Sequence, residues 1–396
     1  MTARFAVEDM PFPAHYADAP AVAAALEPDE PLFCFAPAAL KAEAGIFLSR
    51  FPGLVTYAVK SNPHPLTIKT LAEAGITAWD VASVQEMELV ADNAPGSRFH
   101  YHNPVKSRRE IERAYHDFGC RRFAADAIEE VEKIHAVVQG DATVEIAIRF
   151  VLPRDRSAAS AHDFSTKFGA PEHVAAELLK RVQALGYSPL LTFHPGSQTK
   201  DPQVYVRHIE AAARITRLAD MTIPKLNVGG GFPANYLYST APEPSVYFRI
   251  IAGAVQKFFG SALPLLECEP GRGLVATCMS LLTRVKLVCS DGDDIFLNDG
   301  VYGGLMELMQ VPELAPPFRV IRDGRAITGP TKSFKVFGPT CDPLDVLPAR
   351  LDLVADLRDG DYIEFGTLGA YGISTLTRFN GYGRHEVALV DEVFTL

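Results

Sequence analysis

The chain has 396 residues, 48% of them hydrophobic and 22% charged, and a formal net charge of −10. At about 150 residues per domain this length predicts two or three domains of ordinary globular composition. The acidic balance argues against non-specific binding to nucleic acid or anionic membrane. No apolar run approaches the roughly 18 residues of a membrane span, and the Ala/Pro-rich stretch Met1 to Pro31 lacks a basic-then-apolar leader. The expectation is a cytoplasmic protein with neither nucleic-acid nor membrane partners.

Between residues 50 and 270, short β-branched or aromatic runs alternate with longer amphipathic stretches. Strands are predicted near 54–58, 77–81, 98–101, 121–124, 143–150, 188–194, 224–228 and 263–268. Helices are predicted near 64–75, 84–92, 107–118, 127–138, 171–186, 203–218 and 245–259. The stretch 203–218 carries the plainest signal, with Val204, Ile209, Ala212, Ile215 and Leu218 as the apolar stripe and Arg207, Arg214 and Arg217 between them. Eight strands with crossover helices point to an α/β fold, a (β/α)8 TIM barrel, although an open doubly wound sheet gives similar local patterns. A polar insertion at 151–170 is long for a compact domain, and such loops more often serve function.

Beyond about residue 270, strands are predicted near 274–289, 294–298, 318–322, 333–337, 351–355, 361–366 and 384–395, with no comparable series of helices. These form a second, mostly antiparallel β domain of sandwich or barrel-like form. Leu32-Phe33-Cys34-Phe35 is a candidate extra strand for it. The predicted domains are an N-terminal segment 1–37, a barrel 38–270 and a β domain 271–396. Of the six cysteines, none forms a CxxC pair and none joins a Cys/His cluster of zinc-ligand spacing, so no metal is expected. Most read as buried apolar thiols; Cys341 is set apart below.

Unusual residues collect where the predicted barrel strands end. Lys60 follows the first strand, Asp80 ends the second, Arg149 the fifth and His194 the sixth. Gly229-Gly230-Gly231 follows the seventh, and Glu267, Glu269 and Arg272 the eighth. This is the face on which barrel enzymes place their active sites. Three glycines let the chain approach an anion and present N–H groups to it, and Gly196-Ser197 adds another N–H and a hydroxyl. A desolvated lysine is a nucleophile. A lysine, a phosphate site and a carboxylate, here Glu269, suit pyridoxal 5'-phosphate, whose ring nitrogen needs a partner. Plain alternatives stay open: a solvated amine for Lys60, a tight turn for the glycines, a capping or core histidine for His194.

The runs Tyr-Ala-Val-Lys60-Ser-Asn, Asp80-Val-Ala-Ser, His194-Pro-Gly-Ser, Val-Gly229-Gly-Gly-Phe-Pro, Glu269-Pro-Gly-Arg, Asn298-Asp-Gly-Val-Tyr, Gly338-Pro-Thr-Cys-Asp and Gly369-Ala-Tyr resemble, in order and spacing, the ornithine/diaminopimelate/arginine decarboxylase family. The Gly338-to-Asp342 form is closer to the ornithine and lysine branch. The resemblance implies that Lys60 carries the cofactor, that His194 stacks on its ring, and that Glu269 pairs with the ring nitrogen. Asp80 and Arg149 would orient the lysine and the ring surroundings. Ala58, Ser197, Gly229, Gly230, Gly231, Gly271, Arg272 and Tyr371 would complete the cofactor site, mostly around the phosphate. It also implies a head-to-tail homodimer in which Cys341 and Asp342 reach the partner's site, with Tyr302 beside the substrate. Cys341 would return a proton to the α-carbon after loss of CO2.

The implied activity is decarboxylation of a basic L-amino acid, ornithine or lysine, in polyamine metabolism. One departure stands out. Gln310-Val311 occupies the position where the ornithine branch carries an acidic partner for the distal ammonium, which leaves Asp342, with Glu307 or Glu313 as substitutes. A less basic substrate, an amino-acid racemase of the same fold, and a non-catalytic relative are the competing readings.

Overall fold

The computed structural model describes residues 15–153, 167–290 and 293–396. Most of the polar insertion expected at 151–170, namely 154–166, lies outside the described residues, as do residues 1–14. The chain divides into two compact units. One is Leu40–Ala276; the other combines the described residues up to Ala39 with Thr277–Leu396.

The first unit is built on a parallel sheet. Its strands are Ala78–Val81, Arg98–Tyr101, Arg122–Ala125, Glu145–Arg149, Ser188–Thr192, Lys225–Asn227 and Leu265–Cys268, preceded by a first strand in two pieces, Gly53–Val55 and Tyr57–Ala58. The break at Thr56 is what closes the barrel. The first piece pairs with the eighth strand, Gly53 opposite Leu266 and Val55 opposite Cys268. The second pairs with the second strand, Tyr57 opposite Trp79 and Ala58 opposite Asp80. Counted through the break, the described residues of this sheet form eight strands, so the (β/α)8 expectation stands and the open sheet does not. Gly53 allows the join, since a Cβ there would meet the Leu266 carbonyl oxygen at 2.1 Å.

Helices Pro65–Ala74, Val84–Asn93, Arg108–His116, Ile128–Val138, Glu172–Ala184, Gln203–Ala219 and Pro244–Phe259 connect the strands. Their starts are written in the sequence. Ser83 accepts from the Glu86 N–H at 3.2 Å, and Ser107 forms a reciprocal capping box with Glu110. The Gln203–Ala219 stripe differs from expectation by a small rotation: Tyr205, Ile209, Ala212 and Ile215 are buried, whereas Val204 is only half-buried and Leu218 is exposed. The helices Ala19–Leu26, Pro37–Arg50 and Met306–Gln310 fall outside the expected set, although Asp18 caps the first of them by accepting from the Ala21 N–H. The predicted strand 274–289 also begins too early: a short helix Arg272–Val275 and a 3-10 turn Ala276–Cys278 precede the strand Met279–Val288.

In the second unit, Met279–Val288 is the central strand. It pairs antiparallel with Leu32–Phe35, Asp294–Leu297 and Tyr362–Phe365. Glu386–Val390 runs parallel to Leu32–Phe35 on its other side. Leu32, Cys34, Leu282, Ile321, Tyr362 and Ala388 form the core of this unit. Cys34, Cys120, Cys268 and Cys278 are buried, Cys289 is half-buried, and Cys341 is exposed.

Candidate active site

Lys60 is presented by a rigid turn. The first strand ends at Ala58, and a 3-10 turn Val59–Ser61 follows. Buried Ser61 donates to the Ala58 carbonyl at 2.8 Å, while the Tyr57 hydroxyl donates to the Asn62 carbonyl at 3.0 Å. Val59 and Ser61 point into the protein, and Lys60 between them is exposed. It lines a cavity of about 240 Å3 together with Asp80, Glu86, His102, Arg149, Lys167, Phe168, Thr192, His194 and Glu269.

Glu269 is the best-anchored group of that wall. It sits one residue past the eighth strand, and its backbone N–H donates to the Gly229 carbonyl at 2.9 Å. Its Oε1 accepts from two buried side chains, His102 Nδ1 and Asn227 Nδ2. Among the described residues no hydrogen bond reaches Oε2. Burial works against the Glu269 charge, but the His102 imidazole beside it and the Lys60 ammonium outweigh burial and hold its pKa well below the usual carboxylate range. Asp80 behaves oppositely: burial and the neighbouring Glu269 charge push its carboxyl upward. Glu86 is raised by burial as well, although its Oε2 accepts from the Ala82 N–H at 2.6 Å.

Arg149 ends the fifth strand and lies 5.4 Å from the centre of the Phe168 ring. His194 lies two residues past the sixth strand and accepts from the Gly196 N–H through Nδ1 at 3.1 Å. Burial, reinforced by the charges of Lys60 and Arg149, pushes its pKa well down, so the ring is neutral at physiological pH.

The glycine triplet is required by its surroundings. A Cβ on Gly229 would meet the Phe193 carbonyl oxygen at 2.1 Å, one on Gly230 the Glu269 carbonyl oxygen at 2.6 Å, and one on Gly231 the Gly196 carbonyl oxygen at 2.4 Å. Gly229 and Gly231 also have φ of +70° and +85°. Asn227 Oδ1 accepts from the Gly229 N–H at 2.8 Å, which ties this turn to the carboxylate that Asn227 also holds. Gly271 packs on Ser61 and Ala58, and the buried Arg272 donates to the Tyr236 hydroxyl at 2.5 Å. Ala58, Ser197, Gly229, Gly230, Gly231, Gly271 and Arg272 are not part of the cavity lining.

Glu267 requires a correction. It does not join Lys60, Asp80, Arg149, His194 and Glu269 at the cavity. Two residues deeper along the eighth strand, its carboxylate is bound by Arg122, which also binds Glu145; Lys225 completes the cluster. It is a buried structural ion pair, not a cavity group.

In the β unit, Tyr302 donates its hydroxyl to Asp342 at 2.6 Å and packs against Phe379 with ring centres 4.9 Å apart. The hydrogen bond from Tyr302 holds the Asp342 carboxyl below its ordinary pKa. Buried Asp345 joins the two loops that carry these residues, accepting from the Val301 N–H at 3.0 Å and from the Thr340 N–H and hydroxyl at 2.9 and 2.7 Å. Cys341 is exposed on the second loop. Tyr371 belongs to the same unit and adopts φ of +61°. Gln310 is exposed at the end of the helix Met306–Gln310, Val311 and Glu307 are buried, and Glu313 is exposed.

The pyridoxal-binding domain of the pyridoxal-dependent decarboxylases matches residues 39–276. The lysine/ornithine decarboxylase of Selenomonas ruminantium is 32% identical over 83% of this chain and 81% of its own length. The chain belongs to the pyridoxal-dependent decarboxylases. Antizyme inhibitor 2 of Xenopus laevis is 30% identical over 84% of this chain and 74% of its own length. The crystal structure of SrLDC in complex with PLP and cadaverine superposes with a TM-score of 0.80 at 27% identity, over 93% of this chain and 92% of that one.

The decarboxylase cofactor is pyridoxal 5'-phosphate, and the residues present fit it. An accessible amine, an ionised carboxylate with one oxygen unengaged among the described residues, and a neutral imidazole share one cavity. A turn that only glycine can occupy adjoins two of them, since a Cβ on Gly230 would lie 3.5 Å from His194 Nε2. Two partners of Glu269, Asn227 and His102, lie outside the motifs. Asn227 immediately precedes Val228 and the glycine triplet. His102 was detectable as a polar residue at the end of the third strand, on the same face as His100. Asp80, His102 and Glu269 bring ligand atoms within 4.8 Å of one another, a grouping that no short sequence spacing reveals.

Proposed function

We propose that this decarboxylase acts on a basic L-amino acid, ornithine or lysine, and releases the diamine, a product that feeds polyamine formation in the cytoplasm. The observation that carries the reading is the placement of Lys60 and Glu269 in one cavity, an amine to hold the cofactor and an anion to hold its ring nitrogen. When bound, pyridoxal phosphate supplies an electron-accepting ring conjugated to the substrate α-carbon. Lys60 would hold the cofactor through its amine. Glu269, ionised by its surroundings, keeps the ring-nitrogen proton in place. The neutral ring of His194 would pack beside the cofactor ring, and Asp80 and Arg149 would set the charge around Lys60. The Gly229–Gly231 turn, with Ala58, Ser197, Gly271 and Arg272, supports the phosphate.

The proposed assembly is a homodimer in which Cys341 and Asp342 of one copy serve the other copy's cavity. Asp342 is ionised and receives the substrate's distal ammonium. Exposed Cys341 returns a proton to the α-carbon. The arrangement predicts that Lys60→Ala and Cys341→Ala, each inactive or slow alone, regain activity when mixed. No gain on mixing rejects the shared site.

The deciding experiment is CO2 release with pyridoxal phosphate from L-ornithine, L-lysine, L-arginine, meso-diaminopimelate and less basic amino acids. Release from ornithine or lysine is expected. A less basic substrate is the second reading, favoured by the uncharged pair Gln310 and Val311. Absence of release from every compound, with the absorbance of the lysine-bound cofactor intact, rejects both.

A further inference from the structure

His102 belongs to none of the motifs, yet it is the group most intimately joined to Glu269. Its side chain is only 6% exposed at the carboxyl end of the third strand. Nδ1 donates to Glu269 Oε1 and lies 3.4 Å from Asp80 Oδ1. Facing two carboxylates, Nδ1 carries a proton. Nε2 is buried and makes no hydrogen bond among the described residues. Asn227 Nδ2 donates to the same Oε1. Two donors converging on one oxygen fix the plane of the carboxylate and assign the other oxygen to the ligand.

We propose that His102 is a positioning residue for the cofactor's ring nitrogen: by clamping Oε1 of Glu269 it turns Oε2 toward that nitrogen, and by standing between Glu269 and Asp80 it lets two carboxylates share one wall. The proposal rests on the reading of Glu269 as the ring nitrogen's partner. The charged and titratable groups facing His102 are Glu269 from the eighth strand, Asp80 from the second, Arg122 from the fourth and His100 on its own strand, with ring centres 5.5 Å apart. Lys60 and Arg149 line the same cavity.

The substitutions separate position from polarity. His102→Asn keeps a donor where Nδ1 lies, His102→Gln moves it toward Nε2, and His102→Leu removes it. The holoenzyme of each is stripped of pyridoxal phosphate and titrated with it. The absorbance of the bound cofactor is then followed from pH about 5.5 to about 9. Leu and Gln are expected to weaken pyridoxal phosphate binding about tenfold, the equivalent of one hydrogen bond to a charged group, and to displace the absorbance profile, whereas Asn stays within about threefold of wild type. If Leu does not fold, the Asn and Gln pair decides. Equal affinities and equal profiles in that pair overturn the proposal. Glu269→Gln, measured alongside, distinguishes the two levels: if it too changes neither quantity, the reading of Glu269 fails; if it alone changes them, only the role of His102 fails.

Discussion

Glu267 lies on the eighth strand and Glu269 one residue past its end, both buried, and their surroundings make them different groups. Glu267 meets Arg122, a cation that never loses its proton, inside a cluster that includes Glu145 and Lys225. Glu269 meets His102 and Asn227 and borders a cavity. A carboxylate closed off by arginine serves the barrel. A carboxylate held by an imidazole and an amide, with one oxygen free, can answer a ligand. The residue type is the same; the partner and the open side decide the use.

The strongest way to break this comparison is to neutralise each carboxylate in turn. Glu269→Gln is expected to lower the decarboxylation rate by about 100-fold to 10,000-fold, the range of a lost proton-holding group, with a smaller fall in the denaturant midpoint of the stripped protein than at Glu267, because the glutamine oxygen still accepts from His102 and Asn227. Glu267→Gln is expected to do the reverse. It leaves Arg122 with one carboxylate fewer and costs about 3–5 kcal/mol of stability, while the protein that stays folded retains its cofactor absorbance. Equal losses of rate and stability in both variants would erase the distinction.

A smaller effect sharpens it. For His102, burial disfavours the charged ring, but the Glu269 carboxylate and then Asp80 outweigh burial and raise its pKa. A raised folded value means that its contribution to stability is complete below the unfolded pKa of about 6.5 and is lost as pH rises through the folded value. The gap in unfolding free energy between wild type and His102→Leu, both stripped of cofactor, therefore narrows from pH about 6 to about 9. The gap between wild type and Glu267→Gln stays level over that window, because arginine does not titrate there. Denaturant melts at several pH values separate the two slopes.

The barrel strands are legible in the sequence because each is a short apolar run between helix-length stretches, as in Ala78-Trp-Asp-Val81. The helix Pro37–Arg50 is not, since Ala38, Ala39, Ala42, Ala44 and Gly45 blur its apolar stripe. Leu274-Val275-Ala276 reads as readily as strand, and only the turn after Gly271 makes it helical. Within the site, Lys60, Asp80, Arg149, His194 and Glu269 are legible because position at a strand's end and residue type agree. His102 is illegible for a simple reason: its main partner lies 167 residues away, and contact across a barrel leaves no local spacing. Glu267 misleads through the same rule that finds Glu269, because a strand end does not say which side chain stops short of the opening.

The glycine triplet carries a mechanical consequence. The Gly229–Gly231 turn touches the backbone of Phe193, Gly196 and Glu269 so closely that no side chain fits between them. Hydrogen bonds from the Glu269 and Thr199 N–H groups to the carbonyls of Gly229 and Gly231, both 2.9 Å, stitch the same three loops. The loops after the sixth, seventh and eighth strands are therefore one plate, not three flaps. Their amides should exchange with solvent in a single cooperative opening, so this side of the cavity yields as a whole or stays shut.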